Sequence, residues 1–221
     1  METTFVTLIA YGVYTLAAGL AVSIALAMQD GEKTWSLQFQ AAGAAYIVAS
    51  PATISVLWIA IRMAGRDFAE YLALSWPSTG QLLRALGITA ILLLVESLAA
   101  YVIGSKEISP DPYASARQTS GLLLFMIGGG IAAPVMEEFV FRGFMFRGWS
   151  QSFLGPVGSI VLTSVLWGMT HTQYDWFGRF WIFVTGLVLG HFRWRSNSTW
   201  LTVMVHSAIN VLFFFSMGLQ P

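Results

Sequence analysis

In this chain of 221 residues 56% are apolar and only 10% are charged. A soluble globular domain carries roughly 25% charged residues, so the composition points to the bilayer as solvent. The formal net charge is zero, and the absence of any Lys/Arg run argues against nucleic acid as a partner and against a polybasic lipid anchor. Cysteine is missing, which removes disulfides, thiolate metal ligands and cysteine nucleophiles together.

Crossing the hydrocarbon takes about 20 apolar residues. By that measure about seven spans are predicted, near residues 5–27, 41–61, 82–103, 119–147, 156–172, 176–194 and 199–218. The expected fold is an all-α transmembrane helical bundle, one membrane domain over residues 1–221. The first segment, Phe5 to Met28, is longer than a signal h-region and has no Lys or Arg before it; it reads as a membrane helix, although Ala25-Leu26-Ala27 resembles a cleavage site. Turn formers punctuate the connections: QDGEK, SWPSTG, SPDPYAS, FLGP and RSNS. Between the second and third spans, RDFAEYLALSWP is either a short amphipathic interfacial helix or a polar loop. Arg62, Arg66, Arg84, Arg147, Arg193 and Arg195 fall on one side, and Lys33, Lys106, Arg117 and Arg179 on the other. Under the positive-inside rule that excess puts the N-terminus in the cytoplasm and the C-terminus outside.

Of the acidic residues, only Glu96, Glu137 and Glu138 lie well within predicted spans. An ionisable group at bilayer depth costs about 2.5–3.5 kcal/mol on insertion scales and is by default a functional-site hypothesis. Glu138 and Arg142 are four apart, so they share a helix face with the acid N-terminal to the base. They form either a self-neutralising structural pair or part of a site. Glu137 points about 100° away around the helix and needs another partner, water or a proton. The spacing of four recurs at Trp167/His171 and at His206/Asn210. Taken singly, such pairs are more often interhelical hydrogen-bonding glue than a site, and the case for a site rests on their convergence.

The fourth and fifth predicted spans form an antiparallel hairpin about Leu154-Gly155-Pro156. Glu137 and His171 each lie 17 residues from Leu154, which at about 1.5 Å per residue puts them at similar depth, able to hold one water between carboxylate and imidazole. His206 sits nearer mid-depth than His171, so tilt or a broken helix must close the offset. Gly128-Gly129-Gly130 followed by Pro134 offers such a break: a helix restarting there would place Glu137 in its first turn, beside free N–H groups. The alternative is close helix packing on glycine.

Glu137-Glu138-x-x-x-Arg142, then Trp167-x-x-x-His171, then His206-x-x-x-Asn210 resembles the motif set of the CAAX prenyl protease and bacteriocin-processing family. These are intramembrane glutamic endopeptidases that include the type II CAAX prenyl endopeptidases. The motifs span residues 134–212, with 119–218 as the catalytic helices. The resemblance implies that Glu137, with His171, activates water and that His206 and Asn210 form an oxyanion hole. Glu138, Arg142 and Trp167 would support the site. It implies no metal or other cofactor, a membrane-associated peptide or lipopeptide substrate, and a multi-pass protein of a bacterial cytoplasmic membrane. Two departures stand out: Trp167 occupies a position where phenylalanine is commoner, and seven spans are read where the family core usually shows eight.

Three other readings compete. Two histidines and a glutamate are ligands of many zinc hydrolases, although no His-Glu-x-x-His is present. Bacterial relatives linked to self-immunity suggest a non-catalytic scaffold or bacteriocin immunity protein. Buried glutamates would also suit a proton-coupled transporter, but no pair of corresponding interrupted helices appears in the two halves. His191, beside Gly186-x-x-x-Gly190, reads as a span-end residue outside the site, and Glu96 is expected to make a structural hydrogen bond to a neighbouring span.

Overall fold

The computed structural model describes residues 2–27, 35–104 and 121–219, which form eight helices and, among the described residues, no strand. In chain order these are α1 (Glu2–Ala27), α2 (Trp35–Met63), α3 (Phe68–Leu72), α4 (Thr79–Ile103), α5 (121–150), α6 (Gly155–Thr170), α7 (Trp176–Ser196) and α8 (Thr199–Leu219). Every span read from the sequence falls on one helix, and the eighth, α3, shows that the segment left open between short helix and loop contains a helix. Glu2–Ala25, Ala41–Met63, Thr79–Ile103 and Leu123–Ser150 are long and apolar enough to cross a membrane; α6 and α8 contribute shorter apolar stretches. In α7 the apolar run is interrupted by Arg179, His191, Arg193 and Arg195. The chain is an integral membrane protein with a helical-bundle fold. The connections QDGEK and SPDPYAS, with Lys33, Lys106 and Arg117, lie outside the described residues.

Local chemistry sets the helix ends. Asp67 caps α3 by accepting from the Glu70 N–H at 2.9 Å, and Ala73 closes the helix in the left-handed region at φ 53°. Ser78 and Gln81 form a reciprocal capping box on α4. The Asp175 carboxylate caps α7, which ends at a left-handed Asn197. The segment after α3 is stitched to the α7–α8 turn: Thr199 N–H donates to Ala73 O at 2.9 Å and Ser75 Oγ to Asn197 O at 2.9 Å. Ser198 and Thr199 hydroxyls return the bonding to Ser75 O and Leu72 O. Trp76 then stacks on Trp200, with centroids 5.2 Å apart and planes 7° from parallel.

Helix α5 is the axis of the bundle: within an apolar 18-residue stretch of each helix, 56% of the residues are buried in α5 against 6% in α1 and in α4. It meets α2 backbone to backbone, since a Cβ on Gly128 would lie 2.5 Å from Gly43 O. Glycine in α7 instead lets side chains of α6 pack onto its backbone: a Cβ on Gly186 would come within 2.9 Å of Ser164 Cβ, and one on Gly190 within 2.8 Å of Ile160 Cγ2. This is helix association through small residues, as in membrane interiors generally.

The expected break in α5 takes a different form. The helix runs on through Pro134, widened into π-turns over Gly128–Ala132 and Phe139–Met145. Ala133 N–H reaches back five residues to Gly128 O, so no new N-terminus forms before Glu137. The glycines therefore serve close packing and a π-bulge together, a device frequent at functional sites. Glu96 also departs from expectation. It lies half-buried on the inward stripe of α4 with Ala85 and Thr89, but no hydrogen bond or ion pair holds it among the described residues. That stripe becomes progressively less buried toward the end of α4, so neighbouring helices offer Glu96 less contact than its hydropathy environment suggested. His191 is exposed, and its ring neighbour among the described residues is Trp194, at 6.3 Å.

Candidate intramembrane active site

Burial makes Glu138 the anchor of the polar cluster. Its side chain is fully buried; Arg142 Nη1 donates to Oε1 at 2.8 Å and His206 Nδ1 lies 2.9 Å from the same oxygen. The i,i+4 pair is thus one arm of a three-residue arrangement joining α5 to α8. Arg142 also reaches Gly186 O on α7 at 3.4 Å and lies 4.4 Å from the Trp167 ring centroid on α6. The close approach at Gly186, where a Cβ would sit 3.2 Å from Arg142 Nη2, makes room for that guanidinium.

Glu137, half-buried, turns to a different partner, as the helical offset requires: it accepts a hydrogen bond from the indole Nε1–H of Trp167. Both histidine rings stand edge-on to that same indole, His171 at 5.1 Å and His206 at 5.1 Å between centroids. The depth offset expected between the two histidines is bridged by the length of one large side chain lying between them. Trp167 thereby touches Glu137, His171, His206 and Arg142, which come from α5, α6 and α8.

Hydrogen-bond partners set the imidazole protons. His171 ends α6 and its Nδ1 lies 2.8 Å from Trp167 O. A carbonyl only accepts, so Nδ1 carries the proton and Nε2 is left as the basic nitrogen. His206 Nδ1 likewise faces a carboxylate oxygen and carries a proton, so Nε2 donates only in the imidazolium form.

Asn210, one turn beyond His206, donates from Nδ2 to Gly129 O at 2.8 Å. The neighbouring bond explains why: in the five-residue register of Ala133 with Gly128, Gly129 O would accept from residue 134, and that residue is proline. Asn210 supplies the donor that Pro134 lacks. Neither this link nor Tyr14 of α1, whose phenol stands within electrostatic reach of Glu137 and Tyr46, stood out in the sequence. The Gly-Gly-Gly-x-x-x-Pro spacing was the available signal for the first; a lone tyrosine in a membrane helix gives none for the second.

Among the described residues no three His, Asp or Glu side chains gather as a metal-ligand set. Fold and cluster together define a helical integral membrane protein with a Glu/His/Arg centre inside its bundle. Residues 119–212 match the family model described as Rce1-like, type II CAAX prenyl endopeptidase Rce1-like, so this segment is similar to the family that the three motifs resemble. The match covers α5 through Asn210 of α8, every residue of the cluster just described except Tyr14 and Tyr46, and leaves α1 to α4 outside. No curated protein and no solved structure matches the chain.

Proposed function

We propose that the protein is a glutamate-dependent intramembrane endopeptidase that hydrolyses a peptide bond in a membrane-associated peptide or lipopeptide. The observation that carries this reading is the meeting of Glu137, His171 and His206 around Trp167. Attack by water on an amide needs a base for its proton and donors for the charge that develops on oxygen, and a dry surrounding strengthens both interactions.

In this reading the Glu137 carboxylate takes the proton of the attacking water and returns it to the leaving amine, while Nε2 of His171 orients that water by accepting its other O–H, with the His171 tautomer fixed by Trp167 O. Nε2–H of imidazolium His206 faces the developing oxyanion while Glu138 balances its charge from the other side. Asn210, held by Gly129 O through one amide hydrogen, keeps the second for the same oxyanion. The family description of residues 119–212 supports this class of reaction.

The test compares the membrane proteomes of cells carrying wild-type protein and Glu137→Gln, followed by hydrolysis of the accumulating peptide with purified protein. Loss of a general base lowers the rate by about 10²–10⁴-fold. Accumulation of the same uncleaved peptides with His171→Ala is expected. If both variants are folded and the proteomes match wild type, the scaffold or immunity reading replaces this one.

A further inference from the structure

Among the described residues, three arginines at one end of the bundle form no ion pair with an acid. Arg193 of α7 is 2% exposed, bonds only Asn197 Oδ1 among the described residues, at 3.0 Å, and lies 5.3 Å from the Phe146 ring. Its electrostatic neighbour is another cation, Arg147 of α5, and the Nε atoms of both are buried without a hydrogen-bond partner. Arg66, just past the end of α2, sits 6.0 Å from the Tyr71 ring. Among the described residues the ion pairs belong to Glu138 alone, with Arg142 and His206. Two like charges brought together at the edge of the hydrocarbon, with unpaired donors, are costly unless an anion lies against them.

A cavity of about 240 Å³ opens there, lined by Gly65, Arg66, Asp67, Glu70, Tyr71 and Arg147. It holds carboxylates as well as guanidinium groups, yet no ion pair joins them across it. Asp67 is occupied in capping α3, while Glu70 is exposed; Glu2 of α1 also stands near Tyr71. The cavity lies at membrane-surface depth: the α2 span ends at Met63 and the α5 span at Ser150, three residues past Arg147. The stacked Trp76 and Trp200 lie on the same side, as aromatic residues do at the headgroup level. A simple anion would meet Asp67 and Glu70; a simple cation would meet the arginines.

We propose that this cavity binds the zwitterionic head of an aminophospholipid, phosphate against Arg147, Arg66 and the Tyr71 hydroxyl, ammonium against Glu70 and Asp67. The field of Arg193 behind Arg147 favours the phosphate, and bidentate guanidinium contact suits it. The site is separate from the Glu137 cluster and does not depend on its chemistry.

The test uses delipidated full-length protein titrated separately with phosphatidylethanolamine, phosphatidylglycerol, phosphatidylcholine and inorganic phosphate, read by native mass spectrometry and thermal shift. Phosphatidylethanolamine is expected to bind as a single adduct, tightest of the four. Arg147→Gln weakens it at least about tenfold, and Glu70→Gln, on an exposed side chain that leaves folding intact, abolishes its advantage over phosphatidylglycerol. Equal or tighter binding of phosphatidylglycerol or of free phosphate by the wild type overturns the proposal. So does phosphatidylethanolamine binding that neither variant changes.

Discussion

Trp167 donates its indole N–H to Oε2 of Glu137, so one aromatic residue both fills the space between two histidines and holds the candidate base by a hydrogen bond. Trp167→Phe keeps the ring and removes the donor. A hydrogen bond to a charged group contributes about 1.5–3 kcal/mol, about ten- to a hundred-fold in rate. We expect kcat for peptide hydrolysis to fall by up to that factor, with KM unchanged and Tm modestly lowered by the lost bond. In a Glu137→Gln background the same substitution should cost less, and an equal cost in both backgrounds would show that the N–H acts elsewhere.

Glu138 and Glu137 are adjacent in sequence and should separate cleanly in stability. Removing one member of a buried ion pair leaves an uncompensated charge and costs about 3–5 kcal/mol. Glu138→Ala strands Arg142, which is 1% exposed, and also frees His206, so a large drop in Tm in detergent is expected. Glu137→Gln, half-buried with one side-chain donor, should abolish hydrolysis while leaving Tm close to wild type. Similar Tm losses from both substitutions would refute this division of labour.

Asn210→Ala leaves Gly129 O without its donor, a cost of about 1–3 kcal/mol. Pro134→Ala restores a backbone N–H in the register that reaches Gly129. The two substitutions together should therefore be less destabilising than Asn210→Ala alone in a thermal-unfolding cycle. Additive losses would show that Asn210 does not stand in for the proline's missing donor.

Water activation by carboxylate and imidazole alone makes hydrolysis indifferent to chelation. With purified protein, excess EDTA or phenanthroline should leave the rate unchanged, and added zinc should not raise it. Loss of activity that zinc restores would transfer Glu137 and the histidines to a metal-ligand role.

Much of this was legible from residue spacing. Seven apolar segments gave seven helices because the bilayer leaves the backbone of an apolar run no better arrangement than internal hydrogen bonding. Glu138 and Arg142 pair as their spacing of four requires. The short α3 was an open choice in the sequence, since five residues carry too little periodicity; Asp67 as a cap and the bonds from Thr199 to Ala73 and Leu72 decide it. The break before Glu137 was misjudged because proline and glycine announce a weakened ladder without saying which neighbour repairs it. Here a side chain from α8, 81 positions away, does so.

By itself, then, the sequence determined an all-helical membrane chain, the three motifs and the shared helix face within each, because helical periodicity and the cost of buried charge act over a few residues. Only the tertiary structure decided that Glu138, rather than Glu137, receives His206, that Trp167 bridges the two histidines, and that Asn210 answers Pro134. Those pairings depend on the rotation and depth of one helix against another, set by contacts such as Gly43 with Gly128 and Gly186 with Ser164. Packing between distant segments fixes them, and no local pattern along the chain encodes it.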